Sequence, residues 1–354
     1  MKLSKYEKSR LKNGCKKIAR HGGCICGMDI VCDLSVNVNP AGPPEIVKGS
    51  ALAALERIDR YPDYYSSDLK AAASGYYGVN PECIVCGNGT SELLDAIGRV
   101  FAGKKVLLPI PCYTGYERAF RHCETETVML YEKDDFDITD RVISIMETMK
   151  PDALVFGNPS NPVGRLTGKE MIGRLLDAAA GSGCTVIIDE SFIEICDAGE
   201  GASSVDVIQH YDNLIVLRSL TKSYAVPGLR LGFALTCNSG LLSDIEDELP
   251  EWNISAFATH IGTDILSWDK SRDYLERSRR EIIRMRGSLV DHMTKAGIRV
   301  IPGSCGYILS NTSRPLYEEM LEKKILVRDC GNISGLDKNW YRLAVCEASA
   351  SIVF

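Results

Sequence analysis

The sequence predicts an α/β protein: a large domain with a mostly parallel sheet flanked by helices, plus a small α+β domain. Three observations carry this. Between about residues 65 and 236, short apolar runs alternate with helical stretches, the pattern of parallel-sheet βα units. After about residue 240 the chain turns helical and charged, then returns to short strand-like runs. Its 354 residues suffice for a large core and a second, smaller one.

The elements follow in order. The first forty residues join the small domain or cross the mouth of the site. Strands are predicted at 83–86, 106–109, 153–156, 185–189, 214–217 and 231–236, each a short apolar run. Helices are predicted between them, as at 91–101 and 169–180. Beyond them come helices at 241–249 and 272–295, then strand-like runs at 297–301, 307–310 and 341–345. The expected division is an arm over 1–40, a large domain over 41–245, and a linking helix with the small domain over 246–354.

Composition narrows the class. A net charge of −6, with 25% charged and 45% hydrophobic residues, is that of an ordinary soluble chain and gives no sign of nucleic-acid binding. The basic start (Lys2, Lys5, Lys8, Arg10 and onward) reads as a solvated arm or surface helix. No run approaches the ~18 apolar residues of a membrane span, and no signal-peptide core follows the basic start. The expected location is cytoplasmic. The 14 cysteines are scattered; Cys83-Ile-Val-Cys86 is the only CxxC, and Cys24-Ile-Cys26 a second close pair. Positions i and i+3 of a strand face opposite sides, so reduced thiols are expected and no metal site.

The chemistry-bearing motifs lie after the predicted strands. Residues 214–217 lead into Ser219-Leu-Thr-Lys222-Ser-Tyr-Ala-Val-Pro-Gly-Leu-Arg230-Leu-Gly. A lysine just past a buried strand, eight residues before an arginine in a Pro-Gly turn, suits Schiff-base chemistry beside an anion. Burial and nearby cations depress the charge of such an amine. Gly87-Asn-Gly89-Thr90-Ser91-Glu92 follows a strand and opens a helix. It reads as a phosphate cradle at a helix N-terminus or as a plain turn with Thr90 or Ser91 as N-cap. Tyr113, in Pro111-Cys-Tyr-Thr-Gly-Tyr116, either stacks on a flat ring or packs in the core. Asn158-Pro-Ser-Asn161-Pro-Val-Gly164 forces an irregular turn and leaves Asn161 able to hydrogen-bond a phenolic oxygen. Asp189, at the end of an apolar strand, must be paired. Its partner is a pyridinium nitrogen, or else Asp189 is a cap or a structural ion pair.

The order of these motifs is the specific signal: phosphate loop, stacking aromatic, Asn-Pro doublet, strand-end aspartate, lysine, arginine. In that order, over about residues 20–346, the chain resembles the fold-type I pyridoxal 5'-phosphate (PLP) enzymes of the aminotransferase class I/II superfamily. The resemblance implies an aspartate-aminotransferase-like large domain binding PLP. Lys222 would form the internal aldimine, Asp189 pair with the ring nitrogen, Asn161 meet the ring hydroxyl and Tyr113 stack on the ring. Gly89, Thr90, Ser91, Ser219 and Arg230 would hold the phosphate. Arg60-Tyr61-Pro62-Asp63 resembles the segment whose tyrosine reaches the neighbouring subunit's phosphate, implying a homodimer with shared active sites.

Within the superfamily, His21-Gly22-Gly23, Asp33-Leu-Ser-Val-Asn37-Val-Asn-Pro and Asp189-Glu-Ser-Phe192 resemble the threonine-phosphate decarboxylase group of the cobalamin pathway. Histidinol-phosphate aminotransferase is next. This implies that His21, Gly22, Asn37 and Asn161 line the substrate pocket and that Arg342 binds a substrate anion. Cys24 stands where the group has asparagine, and Cys346 where a second arginine often follows Arg342-Leu-Ala-Val. PLP directs cleavage to the Cα bond perpendicular to its ring. A carboxylate out of plane leaves as CO2; one pinned in plane by an arginine leaves the Cα proton to be lost, giving transamination. The leading expectation is a lyase that decarboxylates threonine phosphate or serine phosphate. An aminotransferase using 2-oxoglutarate is the alternative. A non-catalytic PLP-binding regulator ranks last, because Lys222 and Asp189 are both intact.

Overall fold

A computed structural model describes residues 22–23 and 27–354. His21, the Cys24 and Cys26 pair and the basic start lie outside the described residues. The first strand, β1 (Cys32–Asp33), is followed by seven strands that form the main sheet: β2 (Ile84–Gly87), β3 (Lys105–Ile110), β4 (Glu124–Met129), β5 (Ala153–Gly157), β6 (Thr185–Asp189), β7 (Leu214–Ser219) and β8 (Gly232–Leu235). Their order is β2-β8-β7-β6-β5-β3-β4. Only β8 runs against its neighbours; β4, β3, β5, β6 and β7 pair in parallel.

The apolar runs are continuous because both faces of the sheet are covered. Alternate residues enter two different cores. Val106, Leu108, Val155, Ile187, Ile215 and Leu217 pack towards helix Thr90–Val100 on one face. Leu107, Leu154, Val186, Ile188 and Val216 pack towards helices Ser67–Tyr77, Lys169–Ser182 and Ala256–Ser267 on the other. Two of these elements carry no plain signal in the sequence. β4 exposes Glu124, Thr125, Glu126 and Thr127, the polar protection of an edge strand, so it shows no apolar run. Helix Ala256–Ser267 packs on helices Glu45–Ala54 and Ser67–Tyr77 with an apolar composition that hides its period.

Arg218 is a charge inside this sheet. It is fully buried on β7, meets Glu190 at 3.1 Å and Glu194 at 3.0 Å, and reaches Glu200. Its guanidinium lies over the Tyr77 ring, while Ser203 Oγ and the Ser204 N–H each donate to Glu190 at 2.6 Å. Buried charge must be paired in this way. The cluster pins the residue after Asp189 to the residue before Ser219.

The small sheet follows: β9 (Arg299–Val300), β10 (Tyr307–Asn311), β11 (Ile325–Leu326), β12 (Arg328–Asp329) and β13 (Trp340–Ala344). Its antiparallel order is β12-β13-β10-β9, while β11 pairs in parallel with β1. Helix Ser271–Lys295 spans both units, with Tyr274, Leu275 and Ile282 in a large-sheet core and Met285, Leu289 and Met293 in the small-sheet core. Leu34 enters that last core too; its N–H bonds Leu326 O and its carbonyl accepts from the Ala344 N–H. The segment after β1 is thereby tied to the small sheet, and its next residues, Ser35, Val36 and Asn37, line the cavity of the candidate site.

The described cysteines are free thiols. Burial pushes Cys86, Cys112 and Cys184 up to about 12. Among the described residues there is no cluster that could hold a metal ion, and no helix is long and apolar enough to cross a membrane.

Candidate active site

The carboxyl ends of β2, β3, β5, β6 and β7 lie on one edge of the sheet, where ligands of open α/β folds bind. A cavity of about 200 Å³ opens there. Thr90, Ser91, Tyr113, Asn161, Asp189, Lys222, Arg230, Gly22, Asn37 and Arg342 all line it. The structure therefore brings together most of the residues singled out in the sequence.

One pole is built for an anion. Gly89 has φ +78°, and a Cβ there would lie 2.4 Å from Arg230 Nη2; only glycine lets the guanidinium rest on this loop. Helix Thr90–Val100 begins at once, and its first residues, Thr90 and Ser91, line the same cavity at the end of a helix that favours an anion. Arg230 itself adopts φ +55° and donates to Pro227 O at 3.1 Å. Ser219 stands one layer behind: its Oγ lies 2.8 Å from Thr221 Oγ1, and Thr221 forms the wall. Ser91 hydrogen-bonds the Tyr113 phenol.

Lys222 sits in the short helix Leu220–Ser223. The Asn39 N–H donates to its carbonyl at 3.1 Å, and Asn39 Nδ2 donates to Ser223 O at 2.7 Å. Burial first, then Arg230 and Arg342, bring its amine down to about 8, against a partial upward pull from Asp189. A neutral nucleophilic amine is thus accessible near neutral pH. Asp189 is buried and accepts three hydrogen bonds: Ser191 N–H (3.0 Å) and Ser191 Oγ (2.5 Å) on Oδ1, and Tyr116 OH (3.0 Å) on Oδ2. Burial raises its carboxyl while these bonds and Lys222 oppose the rise. A buried carboxylate facing a cavity beside an anion cradle and a low-pKa lysine fits a phosphorylated pyridine aldehyde at all three points.

The other pole is the substrate side. Arg342 donates through Nη1 to Asn161 Oδ1 at 2.6 Å and through Nη2 to Ser35 O at 2.7 Å. Its Nε and Asn37 Oδ1 are buried with no protein partner, as expected of groups that await a ligand. Gly22 packs so closely that a Cβ would meet Ser35 O at 2.1 Å. The sequence reading missed Arg328. It lies directly across from Arg342 in the β12–β13 register, and its Nη2 donates to Asn332 Oδ1 at 2.7 Å. Both guanidinium groups line the cavity. The available signal was a second arginine on a short apolar run, 325–328, near the end of the chain.

Two residues fall elsewhere. Tyr61 is 80% exposed and lies against Trp252, with ring centroids 4.8 Å apart, outside this chain's own cavity. Cys346 turns away towards Cys32, with sulfurs 4.0 Å apart. The Cys32 S–H donated to it draws the Cys346 thiol down to about 6, and backbone N–H groups of Ser349 and Ala348 assist.

Comparison with known proteins agrees with this geometry. The family model for aminotransferase class I and II matches residues 29–351. A relative from Caldanaerobacter subterraneus subsp. tengcongensis, provisionally named a threonine-phosphate decarboxylase, is 35% identical over 87% of this chain and 84% of that relative. The threonine-phosphate decarboxylase of Salmonella typhimurium is 29% identical over 93% of this chain and 91% of its own. Among solved structures, the histidinol-phosphate aminotransferase of Clostridium acetobutylicum superposes with a TM-score of 0.82 at 29% identity, covering 90% of this chain and 95% of that one.

Proposed function

The chain belongs to the aminotransferase class I and II family, with pyridoxal 5'-phosphate as its cofactor, and we propose that it is a lyase that decarboxylates an O-phosphorylated amino acid, threonine phosphate or serine phosphate. The observation that carries this reading is the facing pair Arg328 and Arg342 on one wall of the cavity. Two guanidinium forks suit a phosphate dianion, which offers oxygens enough for both. Asn37 Oδ1, buried and without a donor, suits the substrate's ammonium or amine N–H.

The cofactor supplies an electron sink for charge developing at Cα. The chain's own residues do the rest. Thr90, Thr221 and Arg230 would hold the cofactor phosphate, with Ser219 bonded to Thr221. Asp189 would hold the ring nitrogen in its protonated form, Tyr113 would cover the ring and Asn161 would meet the ring hydroxyl. With both arginines engaged on the substrate phosphate and Arg230 at the anion pole, no guanidinium among the described residues lining the cavity is left to clamp the carboxylate. The bond from Cα to the carboxylate breaks and CO2 departs. A proton from Lys222 Nζ, drawn from solvent, takes its place at Cα. An amine near pKa 8 can hold and release that proton at neutral pH.

One observation favours transamination instead. Arg342 is bonded to Asn161 at 2.6 Å, which sets its guanidinium beside the expected ring hydroxyl, where a substrate carboxylate could be held in plane. The structural likeness to a histidinol-phosphate aminotransferase is in keeping with that second reading. The proposal further includes a homodimer: exposed Leu52, Leu55, Ile58, Tyr61, Tyr64 and Tyr65 form an apolar face for a second copy, through which Tyr61 would reach the partner's phosphate site.

The test is to incubate the PLP-loaded protein with O-phospho-L-threonine, and separately O-phospho-L-serine, without any keto acid. Catalytic CO2 release, many turnovers per site, is expected from at least one of them. No CO2, with the cofactor driven to its amine form and restored by 2-oxoglutarate, would overturn the lyase reading in favour of an aminotransferase.

A further inference from the structure

Asp189 is held by residues to which the family reading assigns no role. An ionised carboxylate offers about four acceptor positions. On Oδ1, Ser191 N–H and Ser191 Oγ take two. On Oδ2, Tyr116 OH takes one. One position remains, on the same oxygen that Tyr116 occupies. A ring N–H bonding Asp189 must therefore share Oδ2 with the Tyr116 hydroxyl.

Tyr116 is fully buried at the start of helix Thr114–Ala119, its N–H bonded to Tyr113 O at 2.9 Å. Its ring stands edge-on to Tyr113, with centroids 5.5 Å apart and planes at 89°, a favoured aromatic geometry. Gly157, the register partner of Asp189 on β5, leaves room for the phenol: a Cβ there would lie 3.0 Å from Tyr116 OH. Burial holds the phenol well above its ordinary range, so it serves as a neutral donor at all working pH values.

We propose that Tyr116 is the positioning residue of the ring clamp: its hydroxyl fixes Asp189 Oδ2 against the cofactor nitrogen while its edge fixes Tyr113 against the cofactor face. Ser191 holds the opposite oxygen and sets the carboxylate plane. One side chain thus sets both the nitrogen contact and the stacking contact. Removing its hydroxyl leaves Oδ2 with the ring N–H alone, so the carboxylate is less well stabilised as an anion, becomes more basic, and draws the ring proton from the nitrogen towards itself. The proposal rests on the cofactor and not on the substrate, so it stands whichever of the two reactions the enzyme performs.

The experiment loads Tyr116→Phe with PLP carrying 15N in the ring and records the nitrogen chemical shift together with the rate of cofactor loss on dilution. Phe keeps the packing against Tyr113 and deletes only the hydroxyl. The expected result is a nitrogen resonance displaced from the protonated towards the unprotonated position, with cofactor loss about tenfold faster, the effect of one hydrogen bond to a charged group. Ser191→Ala, which keeps the Ser191 N–H, should give a smaller displacement. Gly157→Ala, whose Cβ would press the phenol at 3.0 Å and Pro159 O at 3.1 Å, should move the resonance in the same direction and serves as the readout should the Phe variant not fold. An unchanged nitrogen shift with unchanged cofactor loss in the folded Phe variant, or in Gly157→Ala where that variant is the readout, would overturn the proposal and leave Tyr116 as core packing.

Discussion

Replacing Lys222 with alanine is expected to lower turnover by roughly 10⁴-fold or more and to remove the visible absorbance of the lysine-bound cofactor. The anion pole at Gly89, Thr90 and Arg230 is untouched by the change, so PLP should still bind, but reversibly and with the spectrum of the free aldehyde. The same residue sets a pH dependence. Capture of added PLP needs the neutral amine, and burial beside Arg230 and Arg342 brings that amine to about 8. In stopped-flow mixing, the rate of covalent capture should therefore rise with pH through a midpoint near 8, not near the 10.5 of an ordinary lysine. The linkage has a definite sign. Because the folded value is the lower one, the cofactor-free protein bears a penalty of about 3 kcal/mol while both states are protonated. Its stability recovers as pH rises from about 8 to 10.5. Survival of the visible band in the alanine variant would refute the assignment of Lys222.

Replacing Arg342 with alanine is expected to cut kcat/KM by about 10²-fold, roughly 3 kcal/mol, mostly through KM. The change removes a cavity-lining guanidinium that meets Asn161 and Ser35 and whose Nε is buried with no protein partner. Lysine should recover little, because a single ammonium cannot span the Asn161 and Ser35 contacts and still reach a substrate oxygen. Arg328→Ala should show the same KM effect with a phosphorylated substrate and little with an unphosphorylated analogue. Equal effects on both substrates would mean that Arg328 does not read the phosphate. Steady-state kinetics on the three variants decides this.

Most of the large sheet was legible because its central strands are buried on both faces and show as apolar runs, several of them followed by a residue that lines the cavity. Asp189, Lys222 and Tyr113 each had another reading taken singly; the order of the motifs singled them out together, and all three line the cavity at strand ends. The edge strand Glu124–Met129 was not legible, because five of its six residues are exposed. Arg328 was missed because its meaning comes from lying across from Arg342 in an antiparallel register, 14 residues away in the chain. The Tyr116 contact spans 73 residues between separate strand ends. Sequence spacing carries no trace of such a pairing, although both residues sit within motifs that stand out. Ser219, expected to hold the cofactor phosphate, lies 2.8 Å through its Oγ from Thr221 Oγ1, and Thr221 is a cavity residue that the sequence did not single out.

The fate of the Cα hydrogen tests the central claim most directly. O-phospho-L-threonine deuterated at Cα, turned over by the PLP-loaded enzyme, should give an amine that keeps its deuterium by mass spectrometry, because the bond to the carboxylate is the one that breaks. Loss of that deuterium to water, with the carboxylate still on the product, would contradict the account and place the enzyme among the aminotransferases.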